Sequence, residues 1–396
     1  MELGYCSTGA DPEPLSIYLH IPFCSTRCTY CAFNTFARAE PLIPSYVAAL
    51  CAELRRLGQV TSGRVHTLYF GGGTPSLLTP AQVGDILSIF RDAFQLAPSV
   101  EITLEANPGS LDSAYLARVR ECGVNRLSIG MQSIHADELH MMARDHDPDA
   151  VPRAVAEARS AGFENLSLDL IFGLPGQTLA RWVESVQAAL ALSPDHLSMY
   201  ALELEPGTIM TRDVGRGRLP FPDEECAVAM YEAADCLAEG AGLLQYEISN
   251  WSRPGFECRH NLQYWRYGPY LGVGAGAHGF AAGVRYENVR SIRQFIGLAA
   301  QQTAPLAYPL TAAVAHVETI DTRAAMAEYL FTGLRLVQTG VSRAGFQQRF
   351  GISLEAAYGP ALDQLARAGM IDQHSDRLRL TPAARLLSNQ VFQRLV

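Results

Sequence analysis

Two hydrophobic periods alternate along the first half of the chain. Short runs rich in β-branched and aromatic residues have the pattern of buried strands, and between them apolar residues recur every three to four positions, as on amphipathic helices. The predicted strands are Leu15–Ile21, Val65–Phe70, Val100–Glu105, Arg126–Ile129, Leu166–Ile171 and Leu197–Ala201. The predicted helices are Val47–Leu57, Ala81–Phe94, Ser113–Cys122, Asp149–Ala161 and Leu179–Leu190. This alternation predicts an α/β fold with parallel strands and right-handed crossovers. Six units fit an incomplete barrel, open on one side, as well as they fit a doubly wound sheet.

The pattern changes after Glu205. Prolines and glycines mark a loop, a helix is predicted near Glu224–Glu239, and an aromatic, glycine-rich stretch follows from Tyr246 to Phe280. From about Thr322 three further helices and a short strand resemble a small winged-helix-like domain; they are predicted at Ala324–Leu336, Arg343–Phe350, Leu354–Ala368 and Arg377–Leu380. The predicted organisation is a tail at 1–14, a barrel unit at 15–205, an added α+β segment at 206–300 and a C-terminal domain at 322–396.

Composition removes several function classes. The chain has 396 residues with 48% hydrophobic and 18% charged residues, enough to bury a sizeable core. It contains no lysine, so all 31 basic residues are arginine, which excludes Schiff-base and phosphate-loop lysine chemistry. The net charge of −9 argues against nucleic acid as a partner. No signal-peptide pattern and no apolar run of membrane-spanning length is visible, so we expect a cytoplasmic protein with reduced thiols.

Three cysteines crowd into eight residues just past the first predicted strand. Cys24, Cys28 and Cys31 form a C-x3-C-x2-C array, and parallel α/β folds place their chemistry at the carboxyl ends of strands. Three thiolates can hold three irons of a [4Fe–4S] cluster, which leaves the fourth iron open to a small molecule. A structural zinc site would need a fourth ligand, and the nearest candidate, His20, lies on the strand itself. Thiols without a metal are the remaining alternative.

This array after a first strand resembles the radical S-adenosylmethionine (SAM) superfamily. The resemblance implies a partial (β/α)6 barrel, a [4Fe–4S] cluster on the three cysteines, and SAM that chelates the open iron and is cleaved to a 5′-deoxyadenosyl radical. Glycines in FGGGTPS allow a close backbone approach and offer unpaired N–H and C=O groups. A buried aspartate in a parallel strand is costly without a partner, and an arginine suits a carboxylate. By resemblance the SAM contacts are Tyr18, Gly72, Gly73, Thr74, Glu105, Gln132, Arg144 and Asp169.

The motifs HIPFC, GGGTPS and DLIFGLPGQT resemble the branch that contains oxygen-independent coproporphyrinogen III oxidase. That oxidase has a further cysteine two residues after the third, where this chain has Phe33. The segment CRHNLQYW resembles instead the haem-binding signature of the related HemW-type haem chaperones, in which His260 would ligate haem. A hydrogen-bonded core histidine is the alternative for His260. Cys258 is an alternative ligand, and His278 is either another alternative ligand or a SAM contact. One departure from the chaperone pattern is Ala143, where that family usually has glycine.

Several functions therefore compete. The resemblance favours a haem chaperone that delivers haem to haem-requiring acceptor proteins, membrane-bound respiratory enzymes among them. One alternative is an oxidase of the coproporphyrinogen III type, which the missing cysteine disfavours. The other is a radical methyltransferase, which no sequence feature that we identify supports. A DNA-binding role for the C-terminal domain is disfavoured by the acidic balance.

Overall fold

The computed structural model describes residues 13–301, 307–374 and 376–395, so the predicted tail lies outside the described residues except for its last two. Its main feature is one sheet of twelve strands. In chain order these strands are β1 (Leu15–Ile21), β2 (Val65–Gly72), β3 (Leu96–Ala106), β4 (Arg126–Gln132), β5 (Leu166–Phe172), β6 (His196–Ala201), β7 (Leu244–Glu247), β8 (Asn250–Ser252), β9 (Tyr270–Val273), β10 (His278–Ala281), β11 (Val284–Asn288) and β12 (Val314–Thr319).

The order of the strands distinguishes the two candidate architectures. The sheet runs β12-β11-β10-β9-β1-β2-β3-β4-β5-β6-β8-β7, so the six predicted strands lie side by side in chain order, and all of them pair in parallel. A doubly wound sheet would reverse direction at a switch point, whereas an unbroken order with right-handed crossovers keeps the helices on one face. The partial (β/α)6 barrel is confirmed.

Most of the helices begin after a residue whose side chain caps the first turn. Before Pro80, the Thr79 hydroxyl accepts the Gln82 N–H, and the Gln82 side chain accepts the Thr79 N–H, which is a complete capping box. The helices are α1 (Ile43–Val60), α2 (Pro80–Ala93), α3 (Ser113–Cys122), α4 (Ala136–Met141), α5 (Ala150–Ser160), α6 (Leu179–Ala191), α7 (Ile209–Gly215), α8 (Glu224–Gly240), α9 (Arg259–Trp265), α10 (Ile292–Ala299), α11 (Thr322–Leu334), α12 (Arg343–Phe350), α13 (Leu354–Arg367) and α14 (Ser388–Phe392). Among the described residues no helix is long and apolar enough to cross a membrane.

The strands of the barrel have one apolar and one polar face. Ile17, Leu68 and Leu168 are fully buried in the main hydrophobic core with the flanking helices. The alternate positions carry polar side chains, and the pairing register sets them side by side, as Glu105 beside Ser128 and Asp169 beside Ser198. The parallel strands therefore enclose a polar interior, which opens at their carboxyl ends.

The C-terminal part has its own core. A three-stranded sheet, with β13 (Val341–Ser342) and β14 (Ile371–Gln373) on either side of β15 (Arg377–Leu380), packs with α11, α12 and α13 around buried Leu334, Phe346 and Leu365. Only β15 was predicted, because strands of two or three residues carry almost no periodicity.

Candidate functional site

A cavity of about 520 Å³, the first cavity, lies at the carboxyl ends of the barrel strands. All twelve residues predicted from the sequence line it: Tyr18, Cys24, Cys28, Cys31, Gly72, Gly73, Thr74, Glu105, Gln132, Arg144, Asp169 and His260. They come from five strands of the main sheet and from four further segments: the cysteine segment, the glycine loop, the loop of Arg144 and α9. The structure brings the whole predicted set together, and the ligand that each residue contacts stays a prediction.

The three cysteines differ in their exposure. Cys24 is buried at the end of a two-residue strand that pairs with Phe36–Ala37, whereas Cys28 and Cys31 are partly exposed. Burial raises the pKa of the Cys24 thiol to about 11, so its thiolate needs a cation nearby. Among the described residues no three histidine, cysteine or acidic side chains converge on a single metal ion. A [4Fe–4S] cluster takes one thiolate per iron, and three separate thiols around one cavity fit that requirement.

The glycine loop is pressed against the cysteine loop. A Cβ on Gly73 would lie 2.5 Å from the Phe23 carbonyl oxygen and 3.0 Å from Cys24 Sγ, and a Cβ on Gly72 would lie 2.6 Å from the His20 ring. The Gly73 N–H donates to the Ile21 carbonyl at 2.8 Å. Contrary to the sequence expectation, the N–H groups of Gly72 and Gly73 have partners within the chain. The close approach of the two loops is what excludes side chains here.

Two partly buried carboxyl groups face the first cavity. Glu105 accepts hydrogen bonds from the Tyr69 hydroxyl at 2.8 Å and from the Gly72 N–H at 3.2 Å, and burial raises its pKa to about 7. Asp169 accepts from the Ser128 hydroxyl at 2.9 Å and from the Ser167 hydroxyl at 3.1 Å, and burial raises its pKa as well. Neither carboxyl makes a salt bridge with another described residue. A cationic ligand would stabilise the ionised form of both groups.

Sequence reasoning missed Arg126 as a site residue. Its side chain is only 2% exposed and lines the first cavity, yet it makes no hydrogen bond or ion pair with any described residue, and its Nε is buried without a partner. The sequence contains a signal for it. Asp169 is selected because a charged side chain inside a buried strand is costly, and the same argument applies to Arg126 in its strand.

Arg144 connects the cavity wall to the cysteine loop. Its guanidinium donates to the Asn107 side chain at 3.2 Å, to the Gly130 carbonyl at 3.1 Å and to Cys28 Sγ at 3.6 Å. The residue before it, Ala143, has a φ of 54°, in the left-handed region. This conformation favours glycine, which is the residue that the sequence resemblance leads us to expect at this position.

His260 is held as a hydrogen-bonded core histidine. Thr67 Oγ1 donates to Ser16, so it accepts the Nδ1–H of His260 at 2.7 Å, and Nε2 accepts from the Tyr264 hydroxyl at 2.8 Å. The ring stacks on Tyr69 with the centroids 4.9 Å apart, and burial lowers the pKa of His260 to about 3. Both ring nitrogens are thus engaged in hydrogen bonds. For His260 to ligate iron, the iron would have to replace the Tyr264 hydroxyl as the partner of Nε2.

The two alternative haem ligands have different surroundings. Cys258 is fully buried beside Glu101, and burial raises the pKa of its thiol to about 12. It lines neither of the two cavities described here, so the structure speaks against it as a ligand. The side chain of His278 is 54% exposed and lines an adjoining space.

That adjoining space is a second cavity of about 720 Å³. Tyr18, Arg27, Phe33, Thr35 and Tyr264 line both cavities, so the two share a wall. The rest of the lining is mainly aromatic or charged and includes Trp265, Tyr267, Tyr270, His278, Phe280, Arg285, Arg290 and Phe331. The sequence indicated the aromatic stretch but not the cavity, because Phe331 and the cysteine loop reach it from distant parts of the chain.

Comparisons with known proteins agree with this geometry. A model of the radical SAM superfamily matches residues 18–189, and one of the HemN C-terminal domain matches residues 320–387. The protein named Heme chaperone HemW of Mycobacterium tuberculosis is 40% identical over 97% of this chain and 95% of its own length. The protein of the same name from Bacillus subtilis is 38% identical over 95% of this chain and 98% of its own.

Among solved structures, coproporphyrinogen III oxidase (HemN) from Escherichia coli, a radical SAM enzyme, matches with a TM-score of 0.82 over 97% of this chain and 90% of its own, at 22% identity. This likeness shows the fold. From the identity over almost its whole length, the chain belongs to the HemW family of haem chaperones, within the radical SAM superfamily.

Proposed function

We propose that the chain is a haem chaperone that holds a [4Fe–4S] cluster and SAM in the first cavity, binds haem, and delivers it to haem-requiring proteins in the cytoplasm and at the membrane. The observation that carries the proposal is the convergence of all twelve predicted residues on one cavity, beside a second cavity with aromatic walls. The names of the relatives support the haem cargo.

Each group of residues has a part in this proposal. Cys24, Cys28 and Cys31 would each hold one iron, and the remaining predicted residues of the first cavity would contact SAM. Glu105 and Asp169 would stabilise a cationic ligand, since both line the first cavity without a salt bridge to another described residue. When bound, the cluster and SAM supply radical chemistry that begins with a single electron.

The helix that carries HNLQYW, α9, supplies a wall to both cavities. The N–H groups of Arg259 and His260 donate to Glu101, each at 3.1 Å, which anchors the start of the helix. Tyr264 and Trp265, near its other end, line the second cavity. Flat aromatic side chains suit a porphyrin face, so this position supports haem binding near the motif.

Oxidase activity is the second candidate. At the position where the oxidase carries a further cysteine, this chain has Phe33, whose side chain is 67% exposed at the shared wall of the two cavities. A phenyl ring supplies neither a thiol proton nor a metal ligand. This substitution favours the chaperone over the oxidase.

Cluster binding is tested by replacing single cysteines. Cys24→Ser should remove the broad visible absorption of the anaerobically reconstituted cluster, whereas Cys51→Ser, at a buried cysteine on α1, should keep it. Full cluster absorption in Cys24→Ser would contradict the assignment. Haem titration of the same wild-type sample should then show saturable binding.

A further inference from the structure

The second cavity has the size and walls of a porphyrin site. Its volume of about 720 Å³ lies within the roughly 300–1,000 Å³ typical of cofactor sites. Tyr264 and Tyr270 meet edge to face with the centroids 4.6 Å apart, and Tyr267 packs on Phe280 at 4.7 Å. At the wall shared with the first cavity, Phe33 is 67% exposed, more than other large apolar side chains of the described chain except Phe221. An exposed phenylalanine beside an aromatic cavity favours a large, flat, apolar ligand.

Three histidines line the two cavities, and they differ in whether a ring nitrogen is available. His20 Nε2 donates to the Asn34 carbonyl at 2.9 Å and its Nδ1 accepts from Tyr18 at 3.1 Å. His260 has both nitrogens engaged, as described above. His278 makes no hydrogen bond to any described residue, and its nearest acidic neighbour, Glu287, lies 4.0 Å from Nε2. Haem iron needs an imidazole nitrogen with a free lone pair, and of these three residues His278 offers one.

The position of His278 is fixed by the sheet. It begins β10 and pairs directly across from Glu287 on β11. A carboxylate that accepts the second N–H of a metal-ligating histidine orients the ring and raises its basicity, and Glu287 lies close enough to do so after a small side-chain movement. The histidine is therefore held on a strand of the sheet, opposite a carboxylate that could orient its ring.

Charge at the cavity suits two propionates. Arg290 is 74% exposed and contacts Glu287 only through Nε, at 2.6 Å, so its terminal nitrogens make no hydrogen bond to the described residues. Arg27, on the cysteine loop, also lines the cavity, but one of its terminal nitrogens already donates to the carbonyls of Cys31 at 3.1 Å and Phe33 at 3.4 Å. Arg285 is paired with Glu328 at 2.8 Å. Guanidinium groups bind carboxylates through two parallel hydrogen bonds.

We infer that haem binds in the second cavity with His278 as the axial iron ligand and Arg290 as a propionate contact, beside the proposed cluster and SAM site. This inference rests on the proposed function, since it names where the haem cargo of the chaperone is held. It replaces His260 as the expected ligand.

The test is a haem titration of the full chain followed by absorption and electron paramagnetic resonance spectra. His278→Ala should weaken haem binding at least tenfold and remove the nitrogen-ligated signature, and added imidazole should restore the spectrum. His260→Ala should keep that signature. His374→Ala, which removes an exposed imidazole that lines neither cavity, is the matched control and should leave the spectrum unchanged.

The contrary outcomes are separable. If wild-type protein binds no haem, the proposed function fails. If His278→Ala leaves affinity and spectrum unchanged while His260→Ala removes them, this inference is overturned and the proposed function stands. For the propionates, wild-type protein should prefer haem to its dimethyl ester severalfold, and Arg290→Gln should lose that preference; an equal preference in both proteins would exclude Arg290.

Discussion

Replacement of Glu105 by glutamine tests whether the first cavity recognises a cationic ligand through the carboxylate of this residue. The carboxyl accepts hydrogen bonds from Tyr69 and Gly72, and burial raises its pKa from an ordinary 4.5 to about 7. SAM has a permanent sulfonium charge, which attracts the ionised carboxylate and not the protonated acid. SAM affinity should therefore rise with pH.

The size of this effect follows from the pKa. With a pKa of about 7, roughly one-eleventh of Glu105 is ionised at pH 6 and about ten-elevenths at pH 8. If only the ionised form binds well, the affinity rises about tenfold across this interval, which corresponds to about 1.4 kcal/mol. Below pH 6 the affinity should fall about tenfold per pH unit, and above pH 8 the contribution of Glu105 should level off.

The assay is equilibrium dialysis of SAM against anaerobically reconstituted protein between pH 6 and pH 8. Glu105→Gln should bind SAM more weakly at pH 8 and show little of this pH dependence. Glu53 is the matched control, because it is a buried glutamate that also has a pKa of about 7 but lines neither cavity. Glu53→Gln should keep the tenfold rise. The reasoning is refuted if the rise persists in Glu105→Gln or is absent from the wild type.

Three further predictions concern the loops and the core. Gly73→Ala should abolish SAM binding and reduce cluster content, because the added Cβ would lie 2.5 Å from the Phe23 carbonyl oxygen. Gly63→Ala is the control and should be neutral, because the nearest atom to its added Cβ lies at 3.7 Å. Equal cluster absorption and SAM binding in the two variants would contradict this. Ala143→Gly should stabilise the fold by about 0.5 kcal/mol in urea unfolding, since release of the left-handed strain outweighs the flexibility of glycine, and a loss of stability would show the strain to be absent. The folded-state pKa of Glu53 is raised from 4.5 to about 7, so the contribution of its protonated form to the stability of the fold is lost as pH rises through about 7. Between pH 5 and pH 8 the free energy of unfolding should therefore fall by about 2.5 kcal/mol less in Glu53→Gln than in wild type. Parallel pH profiles of the two proteins would rule this out.

The strands and helices of the barrel could be predicted because each has a strong period of its own. β1 and α3 have the predicted bounds, and β3 begins at Leu96, four residues before the predicted Val100. The choice between a barrel and a doubly wound sheet could not be made from the residues, because both use parallel strands with right-handed crossovers. The strand order decides it, and that order depends on packing across the whole barrel.

Residues at the ends of strands could be placed in one site because parallel strands bring those ends together. The state of His260 could be predicted only in part. Tyr264 lies four positions later on the same helix and so on the same face, but Thr67, the partner of Nδ1, lies 193 residues away. The available nitrogen of His278 depends in the same way on long-range packing, which the pattern of a single segment does not contain.

The most direct test of the chaperone assignment combines two measurements on one sample. Anaerobically reconstituted protein is titrated with haem and then assayed for coproporphyrinogen III turnover in the presence of SAM and a reductant. The account predicts saturable haem binding and turnover no faster than that of the cluster-free Cys24→Ser variant. Enzyme-like turnover of coproporphyrinogen III without saturable haem binding would contradict it.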